Sequence, residues 1–258
     1  MSRAAETLRA AACDLPLHTV FDDAGHFPLV WRDNMIETQQ PVANVVLDHS
    51  ETAKVFQKYQ VDFCCHGEHS IEVAAKERGI DVDELLEALN NATNERGAQS
   101  QGDPRELSTE RLIAHIISTH HEYLRSALPF IRELAAKVGQ VHGDKNAKLR
   151  DLDAVISELA DGIGPHLETE EETLFPALMA GDADSPVVSK ELDAMVEDHY
   201  VVKGLLQRIR AASDEFTLPD WACNTYSTLF RELEHLEGDI FSHVHLENHV
   251  LKPRFIAA

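Results

Sequence analysis

Two segments of the sequence carry histidine and glutamate in the same pattern. HLETEEETLFP begins at His166 and HVHLENHVLKP begins at His243, and both fit H-x3-E-x3-L-x-P. Side chains four residues apart on a helix lie on the same face, one turn from each other. Each segment therefore points one imidazole and one carboxylate in the same direction, with Glu170 as the carboxylate of the first segment and Glu247 as that of the second.

Another histidine precedes each segment at almost the same distance. His121 stands 45 residues before His166, and His199 stands 44 residues before His243. His120 directly precedes His121, and the spacing alone does not decide between them, although neighbours on a helix differ in direction by about 100°. The repeat thus predicts four histidines and two glutamates that converge on one centre.

These residue types are metal ligands. Imidazole nitrogen and carboxylate oxygen suit iron, manganese or zinc, and two shared carboxylates would bridge two metals with two histidines on each. A closed structural zinc site more typically has four ligands and uses cysteine. The ferritin-like pattern needs Glu-x-x-His on two helices, and in this sequence Glu232 with His235 is the one pair that fits. The sequence therefore favours a two-metal site with room for water, an oxo group or a small ligand.

Other histidines are not assigned to this site. His245 and His249 lie off the face shared by His243 and Glu247, so we expect them at the surface or outside the ligand set. His115 and His235 are expected to be packing residues.

Four long stretches of helical periodicity would position the ligands. The first follows Ser108 as a capping residue and contains Pro129. The others run from about 147 to 180, from about 186 to 212, and from after Pro219 to about 251, with Gly181 ending the second and Pro186 opening the third. Alternating β-branched runs are absent from the sequence. The expected fold is all-α, an up-down-up-down four-helix bundle.

The rest of the chain divides by composition. Residues 1–40 read as an irregular extension, residues 41–90 as a small helical unit, residues 91–106 as a polar linker, and residues 107–258 as the bundle. Within the small unit, Gly79 is expected to end one helix and Asp81 to begin the next.

Charge and length exclude several classes of protein. The 258 residues contain 23 Lys and Arg against 45 Asp and Glu, a net charge of −22 that disfavours nucleic acid and anionic membrane surfaces as partners. No apolar run approaches the roughly 20 residues of a membrane span. The N-terminus also lacks the apolar middle of a signal peptide. We therefore expect a cytoplasmic protein.

Two of the four cysteines, Cys64 and Cys65, are adjacent, which suits reduced thiols better than a structural bridge. Because they stand near Gly67 and just before a predicted helix, a thiol close to the helix N-terminus would have a lowered pKa.

The motifs resemble a known family. THHEYLR (119–125), EDHYVVKGLL (197–206) and the two repeated segments are similar to the hemerythrin-like domain of the Repair of Iron Centers family. YQVDFCCHGEHSIEVAAKERGID (59–81) resembles the N-terminal domain of that family, which carries a double-cysteine motif. The resemblance covers about 41–256. The chain departs from the family where His66 follows the two cysteines in place of glycine and where Lys252 stands in place of phenylalanine.

The resemblance implies a non-haem di-iron protein that repairs iron–sulfur clusters damaged by nitrosative or oxidative stress. It implies two irons per chain with bridging carboxylates and an oxo group, and it selects the second histidine of the first motif. The implied ligands are His121, His166, Glu170, His199, His243 and Glu247. Cys64 and Cys65 would hold or pass iron, or react with nitric oxide.

Two other functions remain open at the level of sequence. One is a hemerythrin-like module that binds oxygen or nitric oxide reversibly, and the other is a nitric-oxide reductase acting at the di-iron centre. Turnover separates them, because a repair protein reactivates a damaged iron–sulfur protein, a carrier binds reversibly and an enzyme consumes nitric oxide. The acceptor protein and the oligomeric state, a homodimer included, are not fixed by the sequence.

Overall fold

The computed structural model describes residues 35–95, 103–181 and 185–256, and these residues form helices joined by turns. The predicted extension lies outside them up to residue 34, as do residues 96–102 of the predicted linker. Pro41 and Ser70 pair in an isolated antiparallel bridge rather than in a strand. Over the described residues, the all-α prediction is confirmed.

The N-terminal part contains short helices. They are α1 (Val42–Asp48), α2 (Thr52–Lys58), α3 (Ile71–Arg78) and α4 (Val82–Glu95). The apolar periodicity across α1 and α2 resembles one helix, but the backbone leaves the helical region at His49, where φ is −140°. Gly79 ends α3 in the left-handed conformation, with φ of 68°, as predicted. The helix α4 continues into the predicted linker as far as Glu95.

The four long helical stretches follow, and we call them bundle helices one to four. Three of them contain a π-helical turn. Helix one consists of α5 (Thr109–Ile116), a π turn (Ile117–His121) and α6 (Glu122–His142). Helix two consists of α7 (Lys148–Thr169), a π turn (Glu170–Leu174) and α8 (Phe175–Met179). Helix three is α9 (Pro186–Ala212). Helix four consists of α10 (Asn224–Leu246), a π turn (Glu247–Leu251) and a 3-10 turn (Lys252–Arg254).

Most predicted helix ends are confirmed. The Ser108 side chain accepts from the Arg111 amide at the start of helix one. Helix two stops before Gly181, whose φ is 76°, and helix three begins at Pro186. Helix four begins later than predicted, at Asn224, because the segment after Pro219 forms a turn in which the Ala222 amide donates to the Pro219 carbonyl (2.9 Å).

Glu37–Ala258 packs as one unit, and the bundle contains two clusters of buried apolar side chains. On helix one, Ile116 belongs to one cluster and Leu124 to the other, with His121 between them. On helix two, Glu170 lies between the two clusters, and on helix three His199 does. On helix four, the change from one cluster to the other falls between His243 and Glu247. The candidate site is therefore enclosed by apolar packing on both sides along the bundle. No helix among the described residues is long and apolar enough to span a membrane.

Candidate metal centre

The structure brings all six predicted ligands together in the middle of the bundle. They form two groups that share both carboxylates, and within each group the candidate ligand atoms lie within 4.8 Å of one another. The His121 half-site contains His121, His243, Glu170 and Glu247. The His166 half-site contains His166, His199, Glu170 and Glu247.

Each carboxylate presents a different oxygen to each half-site. Glu170 Oε2 lies 3.5 Å from His121 Nε2, whereas Glu170 Oε1 lies 3.3 Å from His166 Nε2. Glu247 Oε1 lies 3.0 Å from His243 Nε2, and Glu247 Oε2 lies 3.1 Å from His199 Nε2. A carboxylate placed in this way can bind one metal ion through each oxygen.

The site is deeply buried and lacks hydrogen bonds where a cation would sit. No hydrogen-bond partner is present for either oxygen of Glu170, for Glu247 Oε2 or for His199 Nε2. Glu247 Oε2 and His199 Nε2 lie 3.1 Å apart but lack hydrogen-bond geometry. Buried polar atoms without partners are costly, and native proteins seldom keep them. The donor set of nitrogen and carboxylate oxygen therefore fits a pair of cations of the iron, manganese or zinc type.

The protonation states favour ligation. Burial lowers the pKa values of His121, His166 and His243, so these imidazoles are neutral at neutral pH and keep a lone pair for a metal. Burial and the neighbouring Glu247 raise the pKa of Glu170. Burial acts in the same direction on Glu247, but the adjacent His243 and His199 outweigh it and hold the pKa of Glu247 well below its usual range.

A set of side chains that the sequence did not reveal fixes the histidine tautomers. His121 Nδ1 donates to Glu171 Oε1 (2.7 Å), and His166 Nδ1 donates to Asp198 Oδ2 (3.1 Å). His199 Nδ1 donates to Asn248 Oδ1 (3.1 Å). In these three histidines the bonds leave Nε2 as the unprotonated nitrogen that faces the centre. In the sequence, each of the three acceptors stands next to a candidate ligand, but not next to the histidine whose hydrogen bond it accepts.

His120 is buried beside the site but does not join the ligand groups. Its ring stacks on His243 with centroids 5.5 Å apart and planes 9° apart, and its Nδ1 donates to Asp239 Oδ1 (2.8 Å). His115 and His235, which the sequence suggested as packing residues, are exposed.

The π turns coincide with the ligands. His121 ends the first π turn, and Glu170 and Glu247 begin the second and third. Single π turns inside α-helices are rare and often occur at functional sites. The repeated L-x-P motif gives part of the reason. Pro176 and Pro253 follow the two later π turns and lack the N–H that an α-helical hydrogen bond requires.

The double-cysteine loop, residues 62–67, is built around Asp62. Asp62 Oδ1 accepts from the amides of Cys64 (3.1 Å) and Cys65 (2.8 Å), and Asp62 Oδ2 contacts Lys203 and His66. The two Sγ atoms lie 3.6 Å apart, and Asp62, Cys64 and Cys65 offer ligand atoms within 4.8 Å of one another. Asp62 is thus a candidate ligand that the sequence did not single out.

The expected lowering of the thiol pKa is wrong for Cys64. A hydrogen bond with the Cys65 thiol, together with burial and the charge of Asp62, raises the pKa of Cys64 well above its usual value. The nearby helix α3 begins only at Ile71 and is capped by Ser70, so its N-terminus does not serve the thiol. Cys64 instead packs into the apolar core of the bundle.

The double-cysteine loop is bound to helix four. The Cys64 carbonyl accepts from Asn248 Nδ2 (2.9 Å) and from His249 Nε2 (2.9 Å). His245 Nδ1 donates to the Phe63 carbonyl (3.0 Å), and burial lowers the pKa of His245 to about 3. His245 is therefore buried rather than at the surface, and both it and His249 hold the loop.

The chain is similar to known protein families in both of its parts. Residues 112–255 match the family model described as the Hemerythrin HHE cation binding domain. Residues 38–93 match ScdA_N, described as a Domain of Unknown function (DUF542). The iron–sulfur cluster repair protein ScdA of Staphylococcus haemolyticus is 33% identical over 223 residues, which is 86% of this chain and 100% of the relative. The iron–sulfur cluster repair protein YtfE of Yersinia pseudotuberculosis is 35% identical over 206 residues, 78% of this chain and 89% of the relative. The predicted resemblance is confirmed.

Proposed function

This chain belongs to the family of iron–sulfur cluster repair proteins that includes ScdA and YtfE, and from that premise we propose that it supplies iron to iron–sulfur clusters damaged by nitrosative or oxidative stress. Its bundle holds two irons, one in each half-site. Its partners are iron–sulfur proteins with incomplete clusters.

The arrangement of the two carboxylates carries this proposal. Glu170 and Glu247 each direct one oxygen to each half-site, and three of these four oxygens have no hydrogen-bond partner. A single cation would leave part of this buried charge unmatched. Two iron ions would each take two histidines and one oxygen from each carboxylate, and when bound they would supply two redox-active cations.

The chain's own residues prepare the site before any metal enters. Burial keeps the imidazoles of His121, His166 and His243 neutral. Glu171, Asp198 and Asn248 hold His121, His166 and His199, in that order, in the tautomer whose Nε2 faces inward. Phe175 stacks on His121 with centroids 5.7 Å apart and helps to exclude water. The ligands therefore need little rearrangement to bind a cation.

The double-cysteine loop is the proposed path for iron towards the acceptor. Two sulfurs bound at about 2.3 Å to one tetrahedral ion lie about 3.8 Å apart, close to the 3.6 Å between the Sγ atoms of Cys64 and Cys65. Asp62 offers a third, oxygen ligand. Each thiol would lose its proton as it binds iron, since the thiolate is the ligand form.

The test combines metal analysis with a repair assay. Protein loaded with ferrous iron without oxygen should contain two irons per chain and give the Mössbauer signature of a coupled pair. It should reactivate an iron–sulfur enzyme damaged by nitric oxide faster than the same concentration of free ferrous iron does. Equal rates for protein and free iron would argue against donation, and consumption of nitric oxide over many turnovers would instead favour a reductase.

A further inference from the structure

Each half-site has one histidine that donates to a carboxylate, and the two carboxylate bonds differ in strength. His166 donates to Asp198 at 3.1 Å, and Asp198 is 55% exposed to solvent. His121 donates to the carboxylate of Glu171 at 2.7 Å, and Arg125 Nη1 anchors that carboxylate at 2.8 Å. His199 instead donates to a neutral amide oxygen, that of Asn248, at 3.1 Å. An ionised acceptor raises the basicity of a ligating imidazole more than a neutral one does. His199 is therefore a weaker donor than His121, and the bond of His166 to Asp198 is longer and more exposed to solvent than that of His121 to Glu171.

The half-sites also differ in their access to solvent. The His121 side chain is fully buried, whereas the His166 side chain is 9% exposed and its acceptor Asp198 is 55% exposed. On the His121 side, the stacking of His120 on His243 further encloses the site. Water and small chelators thus reach the His166 half-site first.

Asn248 joins the His166 half-site to the double-cysteine loop. Its Nδ2 donates to the Cys64 carbonyl (2.9 Å) while its Oδ1 accepts from His199 (3.1 Å). One amide group makes both bonds, so the Cys64 carbonyl fixes which way the amide points. A displacement of the loop would free the Asn248 side chain to rotate and would remove the acceptor of His199.

We propose that the iron in the His166 half-site is the exchangeable one, and that Asn248 is a positioning residue that couples its release to the double-cysteine loop. This inference rests on the proposed function, because it takes two irons per chain as given. Glu170 and Glu247 keep the other iron in the His121 half-site while the first one leaves.

Release kinetics and metal location test the inference in the full-length protein. Anaerobic protein holding two ferrous ions is mixed with excess ferrozine, and the released iron is followed by absorbance. Half of the iron should leave at least tenfold faster than the rest. The half-depleted protein is then refilled with Zn²⁺ and crystallised, and anomalous diffraction at the iron and zinc edges locates each metal. Zinc should lie between His166 and His199. Release in a single phase, or zinc between His121 and His243, would overturn the inference.

Matched variants test the role of Asn248. Asn248→Ala and Glu171→Ala each remove the acceptor of one candidate ligand, but on different half-sites. Loss of such a partner typically weakens metal binding 10–100-fold. Asn248→Ala should therefore accelerate the fast phase about tenfold or more and leave the slow phase unchanged. Glu171→Ala should accelerate the slow phase instead. The same response of both phases to both variants would contradict the assignment.

A third variant tests the coupling to the loop without touching any of the six ligands in the bundle or their acceptors. Lys203→Met removes the ammonium that contacts Asp62 and His66, and so loosens the double-cysteine loop. It should accelerate the fast phase alone, and an unchanged fast phase would refute the coupling. Failure of the proposed function gives a different result, because the chain would then hold fewer than two irons at saturation or would not reactivate a damaged enzyme. Two irons that leave together would refute this inference alone.

Discussion

Replacing Glu170 by leucine should remove both irons and at the same time stabilise the metal-free protein. Glu170 is 2% exposed, and neither of its oxygens has a hydrogen-bond partner. One oxygen faces each half-site, at 3.5 Å from His121 Nε2 and 3.3 Å from His166 Nε2. Loss of this side chain takes one ligand from each iron, so we expect the iron content to fall from two to near zero with no one-iron species.

The change in stability has a separate physical cause. A buried polar group without a partner costs about 1–3 kcal/mol, and leucine fills a similar volume without that cost. The free energy of unfolding of metal-free Glu170→Leu should therefore be at least about 1 kcal/mol higher than that of the metal-free wild type. For a unit of this size, that is a rise in Tm of about 2–4 °C per kcal/mol. Calorimetry of the metal-free proteins measures the shift, and elemental analysis measures the iron.

Glu172→Leu is the matched control. Glu172 lies in the same π turn, but its side chain is exposed. Its replacement should leave two irons bound and change the unfolding free energy by less than about 0.5 kcal/mol. If Glu170→Leu kept one iron undisturbed, the carboxylate would not bridge. If it destabilised the metal-free protein, the argument from the unpartnered oxygens would be wrong.

Four further predictions concern the ligands and the loop. His121→Ala should lower the iron content, whereas His120→Ala should leave two irons bound, and elemental analysis of both variants checks the choice of ligand. Cys65→Ser should keep two irons but lose most of the ability to reactivate a damaged iron–sulfur enzyme. Full reactivation would refute the proposed path for iron through the double-cysteine loop. Gly67→Ala should destabilise the protein by about 2 kcal/mol or more, because a Cβ there would lie 2.5 Å from Ala43 Cβ and 2.8 Å from His249 Nε2, and urea unfolding reports it. Burial raises the pKa of Asp62, but Lys203 and His66 outweigh it and hold that pKa well below its usual range. The stabilisation is then present above the unfolded pKa of about 3.9 and is lost as the pH falls, so the gap in stability between wild type and Asp62→Asn should shrink below about pH 4.

Much of the bundle could be predicted because local signals determine it. Ser108, Gly181 and Pro186 mark helix ends through short-range backbone chemistry, and the structure keeps those ends. The repeated H-x3-E pattern aims side chains along one helix face, which depends only on helical geometry. The start of helix four was misjudged by a few residues because the turn after Pro219 has no distinct sequence mark.

The remaining features depend on contacts between distant parts of the chain. Glu171 and Asp198 are chain neighbours of ligands, but each accepts a hydrogen bond from a histidine on another helix. No periodicity in one helix shows that pairing. The sequence left His245 and His249 either at the surface or outside the ligand set, because their partners are carbonyls of a loop about 180 residues earlier in the sequence. The π turns are visible only as the prolines that follow two of them.

On the proposed function, the buried carboxylates would link the stability of the protein to its iron content. A ligand that binds only the folded state stabilises it by an amount that grows with RT times the logarithm of its concentration over its Kd. A chain that lost both irons would lose this stabilisation, and the Glu170 oxygens would be left without partners. The proposed release from the His166 half-site alone would avoid that state, because the remaining iron would still contact one oxygen of each carboxylate. If the proposed function holds, the separation of a tightly enclosed half-site from an accessible one would let one fold both retain a metal for its own stability and give one away.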